Sequence, residues 1–233
     1  MARRDKSDAP GPAVAVGELA LARAEVKQLW WFLDGAIMAP DVRAHVRRGW
    51  GFCPRHAWGF AAAEIQLRGA RPFATAILYG DLSRRAAKAV ARGGRRSWSR
   101  TLGRLEAQEP CFTCEYLALG GQDDPTFEEQ QERANRLDRV KIQLEETRGE
   151  WQPRSCPLCL GGGGLVCRQH LLAGAEPSAE LGDELRALAD RLEALVGSMT
   201  TRATPVGPLE RASWVEALGW FAAWDYPRKV VGR

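Results

Sequence analysis

Apolar residues recur along most of this chain at intervals of three and four, the spacing that lines one face of an α-helix. Between Gly17 and Asp34 they fall at Leu19, Ala22, Val26, Leu29, Trp30 and Leu33, and Asp34-Gly35 makes a suitable stop. After Pro40, Asp41 is placed to cap a short helix carrying Val42, His45 and Val46. A third helix runs through Trp58, Ala61 and Ile65 to Arg68 and stops at Gly69, and Pro72 suits the first turn of a fourth with Phe73, Ala76, Ile77, Ala87 and Val90 on its apolar face. Later, Thr126 and Glu129 have the spacing of a capping box, which predicts one charged helix reaching Arg148. Its stripe of Phe127, Ala134, Leu137, Val140 and Leu144 is narrow, so this helix is expected to be half exposed.

Leu181, Leu185, Leu188, Leu192, Leu195 and Met199 alternate by four and three, the seam of a coiled-coil-like helix. Packing inside its own bundle is the plainer expectation for this seam, and homodimerisation through residues 181–199 is the alternative. A last helix carries Trp214, Leu218, Trp220, Phe221 and Trp224. No strand-rich stretch surrounds Cys111 or Cys156. The predicted class is all-α, with residues 1–16 as a flexible tail, 17–92 as an N-terminal helical module, 93–109 as a basic linker and 110–233 as a C-terminal module.

Composition changes this picture little: 45% hydrophobic and 27% charged residues are ordinary for a globular chain of 233 residues, although nine tryptophans are not. The apolar run near the N-terminus, Ala13 to Val16, is too short for the core of a signal peptide, and no window approaches the roughly 20 apolar residues of a membrane span. A cytoplasmic protein without membrane partners is the expectation.

The cysteines change the picture more. All six, with two of the three histidines, fall into four pairs separated by two residues: Cys53/His56, Cys111/Cys114, Cys156/Cys159 and Cys167/His170. A two-residue gap lets a tight knuckle aim both donors at one ion, and two knuckles complete the tetrahedral shell that zinc prefers. Eight donors therefore predict two Cys3His sites and two zinc ions per chain. A disulfide framework, a redox dithiol, haem attachment and iron–sulfur ligation each fit less well, the last because it usually asks for four thiolates per cluster. His45 stands apart and reads as a packing or surface residue.

Two stretches carry a resemblance: Phe32-Leu-Asp-Gly-Ala-Ile-Met-Ala-Pro-Asp-Val-Arg43 and Gly51-Phe-Cys-Pro-Arg-His56. They are similar to a family of bacterial helical proteins of unknown function, built from repeated CxxC…GFCxxH zinc-knuckle modules. Cys111-Phe-Thr-Cys114, Val166-Cys-Arg-Gln-His-Leu171 and Trp220-Phe-Ala-Ala-Trp-Asp-Tyr226 follow it more loosely. The resemblance implies a pseudo-repeated architecture and no activity. Where that family opens with CxxC, this chain has Val14-Ala-Val-Gly17, and it carries Cys156 and Cys159 instead. Two ligand partitions follow. The family register joins Cys111 and Cys114 to Cys167 and His170. The short, glycine-rich loop from Leu160 to Val166 favours a local site of Cys156, Cys159, Cys167 and His170, leaving Cys53, His56, Cys111 and Cys114 for the other.

Three classes of function compete. A scaffold or interaction protein would use zinc to fold and present helical faces to an unidentified protein partner. A nucleic-acid binder would use the run from Arg84 to Arg104, which holds no acidic residue, with Arg92, Arg95, Arg96 and Arg100 on phosphates and Trp98 stacked on a base. A zinc- or thiolate-dependent enzyme is the third. Its case is the weakest, because eight donors fill two closed sites and no spacing of nucleophile, base and acid stands out.

Overall fold

The computed structural model describes residues 19–69, 71–93, 98–200 and 205–231, and among these the chain is helical with no strand. Helices α1 (Arg23–Leu33), α2 (Pro40–Arg48), α3 (Pro54–Leu67) and α4 (Phe73–Gly93) follow the predicted order. Leu19 and Leu21 belong to an extended lead-in, yet both are buried. Asn135 and Gln131 hold that lead-in by bonding the backbone of Leu21.

The predicted charged helix is interrupted. A 3-10 turn at Pro125–Phe127 is capped by the Asp124 carboxylate, which accepts from the Thr126 amide, so Thr126 does not act as the cap of a capping box. Then come α7 (Glu128–Arg136), α8 (Asp138–Glu146) and α9 (Arg148–Trp151), with Leu137 in the left-handed region at φ 58°. The cause lies across the interface, on α3. There the Gln66 side chain donates to Arg133 O and to the Asp138 carboxylate and accepts from the Arg139 amide. A single inserted amide thus satisfies the backbone groups that the break releases.

Helix α5 (Trp98–Leu105) lies inside the segment read as a linker, and buries Thr101 and Leu105. Helix α6 (Phe112–Ala118) and the short α10 (Pro157–Leu160) and α11 (Arg168–Leu172) carry knuckles, and α14 (Asp225–Val231) closes the described chain.

The largest helix pair is α4 with α12 (Leu181–Thr200). Leu181, Leu185, Leu188, Leu192 and Leu195 of the seam are all buried, and Gly80 of α4 lies opposite Leu192. The seam is therefore occupied within the chain. Helix α13 (Pro208–Ala222) is buried along nearly its whole length, which explains an apolar pattern wider than one face. Its Trp220 and Phe221 meet edge to face, Phe221 stacks on Trp50, and Trp214 meets Trp58. Six of the nine tryptophans are core: Trp50, Trp58, Trp151, Trp214, Trp220 and Trp224 are each at most 2% exposed. No described helix is long and apolar enough to cross a membrane.

Candidate metal centres

All four knuckles are built alike. Cys53, Cys111, Cys156 and Cys167 each occupy the N-cap of a helix, α3, α6, α10 and α11 in turn, and the second donor of each pair lies in the first turn. Pro54 and Pro157 sit at the first helical position, where the missing N–H is no loss. The x2 spacing thereby becomes a geometric fact: N-cap and third helical residue point the same way, and the positive end of the helix faces the sulfurs.

The chain brings the eight donors together as two groups, Cys53/His56/Cys111/Cys114 and Cys156/Cys159/Cys167/His170. The second is the local partition, and the family register is not the arrangement adopted. In the first group Cys53 Sγ lies 3.7 Å from Cys114 Sγ, and His56 Nδ1 lies 3.3, 3.5 and 3.3 Å from the sulfurs of Cys53, Cys111 and Cys114. In the second, Cys159 and Cys167 Sγ are 3.7 Å apart, and His170 Nδ1 is 3.6, 3.5 and 3.3 Å from Cys156, Cys159 and Cys167. These are not disulfide distances, and all six cysteines are free. They agree with the edges of a tetrahedron around one ion, about 3.8 Å between sulfurs and about 3.6 Å from sulfur to nitrogen for metal–sulfur and metal–nitrogen bonds near 2.3 and 2.05 Å. Each group is arranged to hold one metal ion.

The first site is long-range, and the elements around it fix its approach. Helix α2 ends in a Schellman turn, in which Trp50 N bonds Arg47 O and Gly51 N bonds Val46 O. Trp50 adopts φ 58° and Gly51 φ 95°. Trp50 is held there by its indole N–H on Arg104 O and by Arg85, whose guanidinium lies 4.4 Å over the ring. Behind the imidazole, His56 Nε2 meets Glu25 Oε1 at 2.9 Å, and Arg55 Nε donates to the same carboxylate at 2.7 Å. Burial alone would raise the Glu25 carboxyl, but the hydrogen bonds from Arg55 and His56 hold it down at about 2. His56, which burial would lower, is pushed up to about 11 by its bonds to Cys111, Cys114 and Glu25. Cys111 is drawn far down by its bonds to Cys114 and Cys53, while Cys53 is pushed far up by its bonds to Cys111 and Cys114. The cluster thus favours a thiolate beside a protonated imidazole, and a bound cation would take the place of that proton.

The second site is local and rests on close backbone contact. Gly161 closes α10 at φ 72°, Gly163 N bonds Pro153 O, and Gly164 N bonds Ser155 O. A Cβ on Gly164 would stand 1.8 Å from Arg154 O, so only glycine fits. The Cys167 amide also donates to Cys156 Sγ at 3.3 Å. Bonding to Cys159 brings the Cys167 thiol down to about 5. Helix α5 bridges the two sites. Its last carbonyls receive the Trp50 indole, three residues before Cys53, and the Arg168 Nε, one residue after Cys167.

Of the residues assigned to nucleic acid, Arg95 and Arg96 lie outside the described residues. Arg92 and Arg100 are exposed, and Trp98 is half-buried against the core. Two other cations of that run are engaged within the protein, Arg84 with Glu193 and Arg85 with Trp50 and Arg47 O. His45 is a packing residue, edge-on to Phe112. Glu25 was not singled out by its sequence context, and only the folded chain places it behind His56. No protein-family model, curated protein or solved structure matches the chain.

Proposed function

We propose that this protein is a non-catalytic, zinc-stabilised helical scaffold whose outer faces engage a protein partner. The observation that supports this reading is the donor count at each centre. Three sulfurs and one imidazole nitrogen complete a tetrahedral shell, whereas a catalytic zinc keeps three protein ligands and one open position. A donor set so rich in sulfur suits zinc and not the hard cations calcium and magnesium, which take oxygen. When bound, zinc supplies a cross-link and no reaction. The chain's own residues do the rest: Glu25 and Arg55 orient the His56 ring, and four helix N-caps aim the sulfurs. A reducing compartment, which keeps thiols free for metal, accords with this role.

Metal analysis of purified protein is expected to give two zinc ions per chain. Removing them with a strong chelator should lower the unfolding temperature sharply, because binding free energy at a structural site is folding free energy. One ion or none, or an iron–sulfur chromophore, would sink the reading.

A further inference from the structure

A cleft of about 410 Å3 opens on the face formed by the 3-10 turn Ala36–Met38, the C-terminal end of α3, the first turns of α4 and the last turn of α12. That volume lies within the roughly 300–1,000 Å3 of small-molecule sites. Its floor is aliphatic: Leu33 and Leu78 are buried, and Ile37, Ile77 and Met199 are half-buried. Met38 and Phe73, two of the few large apolar side chains exposed among the described residues, form its lip. Exposed apolar side chains continuous with an apolar cleft are one feature of ligand-binding grooves.

The charged groups at the cleft are Arg43, Arg68, Arg71 and Glu64. Glu64 is buried and already engaged, its carboxylate accepting from the Ala74 and Thr75 amides and from the Thr75 hydroxyl. Arg43 lies 4.0 Å from Asp81, and Arg68 pairs with Asp34 while covering Trp30. Arg71 has no hydrogen bond or ion pair among the described residues and is exposed. The Thr200 hydroxyl is taken up by Val196 O and Gly197 O. The cleft therefore offers guanidinium forks at its edge and almost no other polar group.

That combination selects its ligand. A peptide in the cleft would bring backbone amides and carbonyls that find no partners on an aliphatic wall, and each unsatisfied group is costly. An alkyl chain brings none. A carboxylate at its end matches the planar guanidinium fork. We infer that this cleft binds a single-chain amphiphile of the fatty-acid class, its alkyl tail against Ile37, Ile77 and Met199 and its carboxylate at Arg71 and Arg68. The site is separate from both metal centres.

The test uses the full-length, metal-loaded protein. Decanoate, kept below its micelle concentration, is titrated by calorimetry and by amide NMR. Decyltrimethylammonium, which has the same tail and the opposite charge, is titrated in parallel. Decanoate should bind with one site per chain and shift the amides of Ile37, Ile77 and Met199, and the cation should not bind. Arg71→Glu, which breaks no hydrogen bond or ion pair among the described residues, should weaken decanoate roughly tenfold or more with zinc content unchanged. Ile77→Trp should fill the cleft and abolish binding. The inference fails if decanoate does not bind, if both amphiphiles bind equally, or if shifts appear elsewhere. It also fails if an amphipathic peptide binds the cleft while decanoate does not. None of these outcomes bears on the number of zinc ions.

Discussion

At the scale of single residues, the first metal site rests on a group outside its ligands: Glu25 Oε1 stands 2.9 Å from His56 Nε2. Cys53, His56 and the six other donors stood out because a tetrahedral ion demands donors in pairs at short spacing, and that demand is written locally. Glu25 had no such mark. It is one acidic residue on an amphipathic helix, 31 residues before His56, and only packing of α1 on α3 brings them to 2.9 Å. Its contribution can be isolated. Glu25→Gln keeps the shape but loses the charge behind the imidazole, and should weaken metal binding at the first site by about 10–100-fold while sparing the second. Competition with a coloured chelator, which resolves the two ions, reads the difference. Equal weakening at both sites would mean a global loss of fold and not a local effect.

Among elements, what could be read depended on whether the deciding contact was near in sequence. The Leu181–Met199 seam was plain, because its period is internal to one helix. Its partner is α4, and Leu188→Ala should cost about 2–5 kcal/mol of stability, measured by denaturant unfolding with metal in excess. The break at Leu137 was hidden, since leucine rarely takes a positive φ and the cause is Gln66 on another helix. Helix α5 was hidden by its charge, which made it read as linker although its carbonyls receive Trp50 and Arg168. In the knuckle hairpin the glycines read as turn residues, yet Gly164 is there because Arg154 O leaves no room for a Cβ. Gly164→Ala should force the hairpin apart and leave protein with one zinc per chain, by metal analysis after gel filtration. Retention of both ions would show that the backbone at Arg154 yields.

For the molecule as a whole, an all-α class was legible, but the mutual placement of helices was not. It is set by long-range contacts such as Trp58 donating to Ala223 O and Arg191 pairing with Glu216, which leave no periodic trace. The two metal sites differ most in how far they reach. Cys156 and His170 are 14 positions apart, whereas His56 and Cys114 are separated by 58. During synthesis the second site can therefore close almost as soon as its hairpin is made. The first cannot. At about 5–20 residues per second, Cys53 and His56 wait on the order of 3–12 s for the rest of their shell. For that interval Cys53 is a thiol without its metal, and the nascent chain is open to oxidants at a sulfur that the finished fold holds against His56.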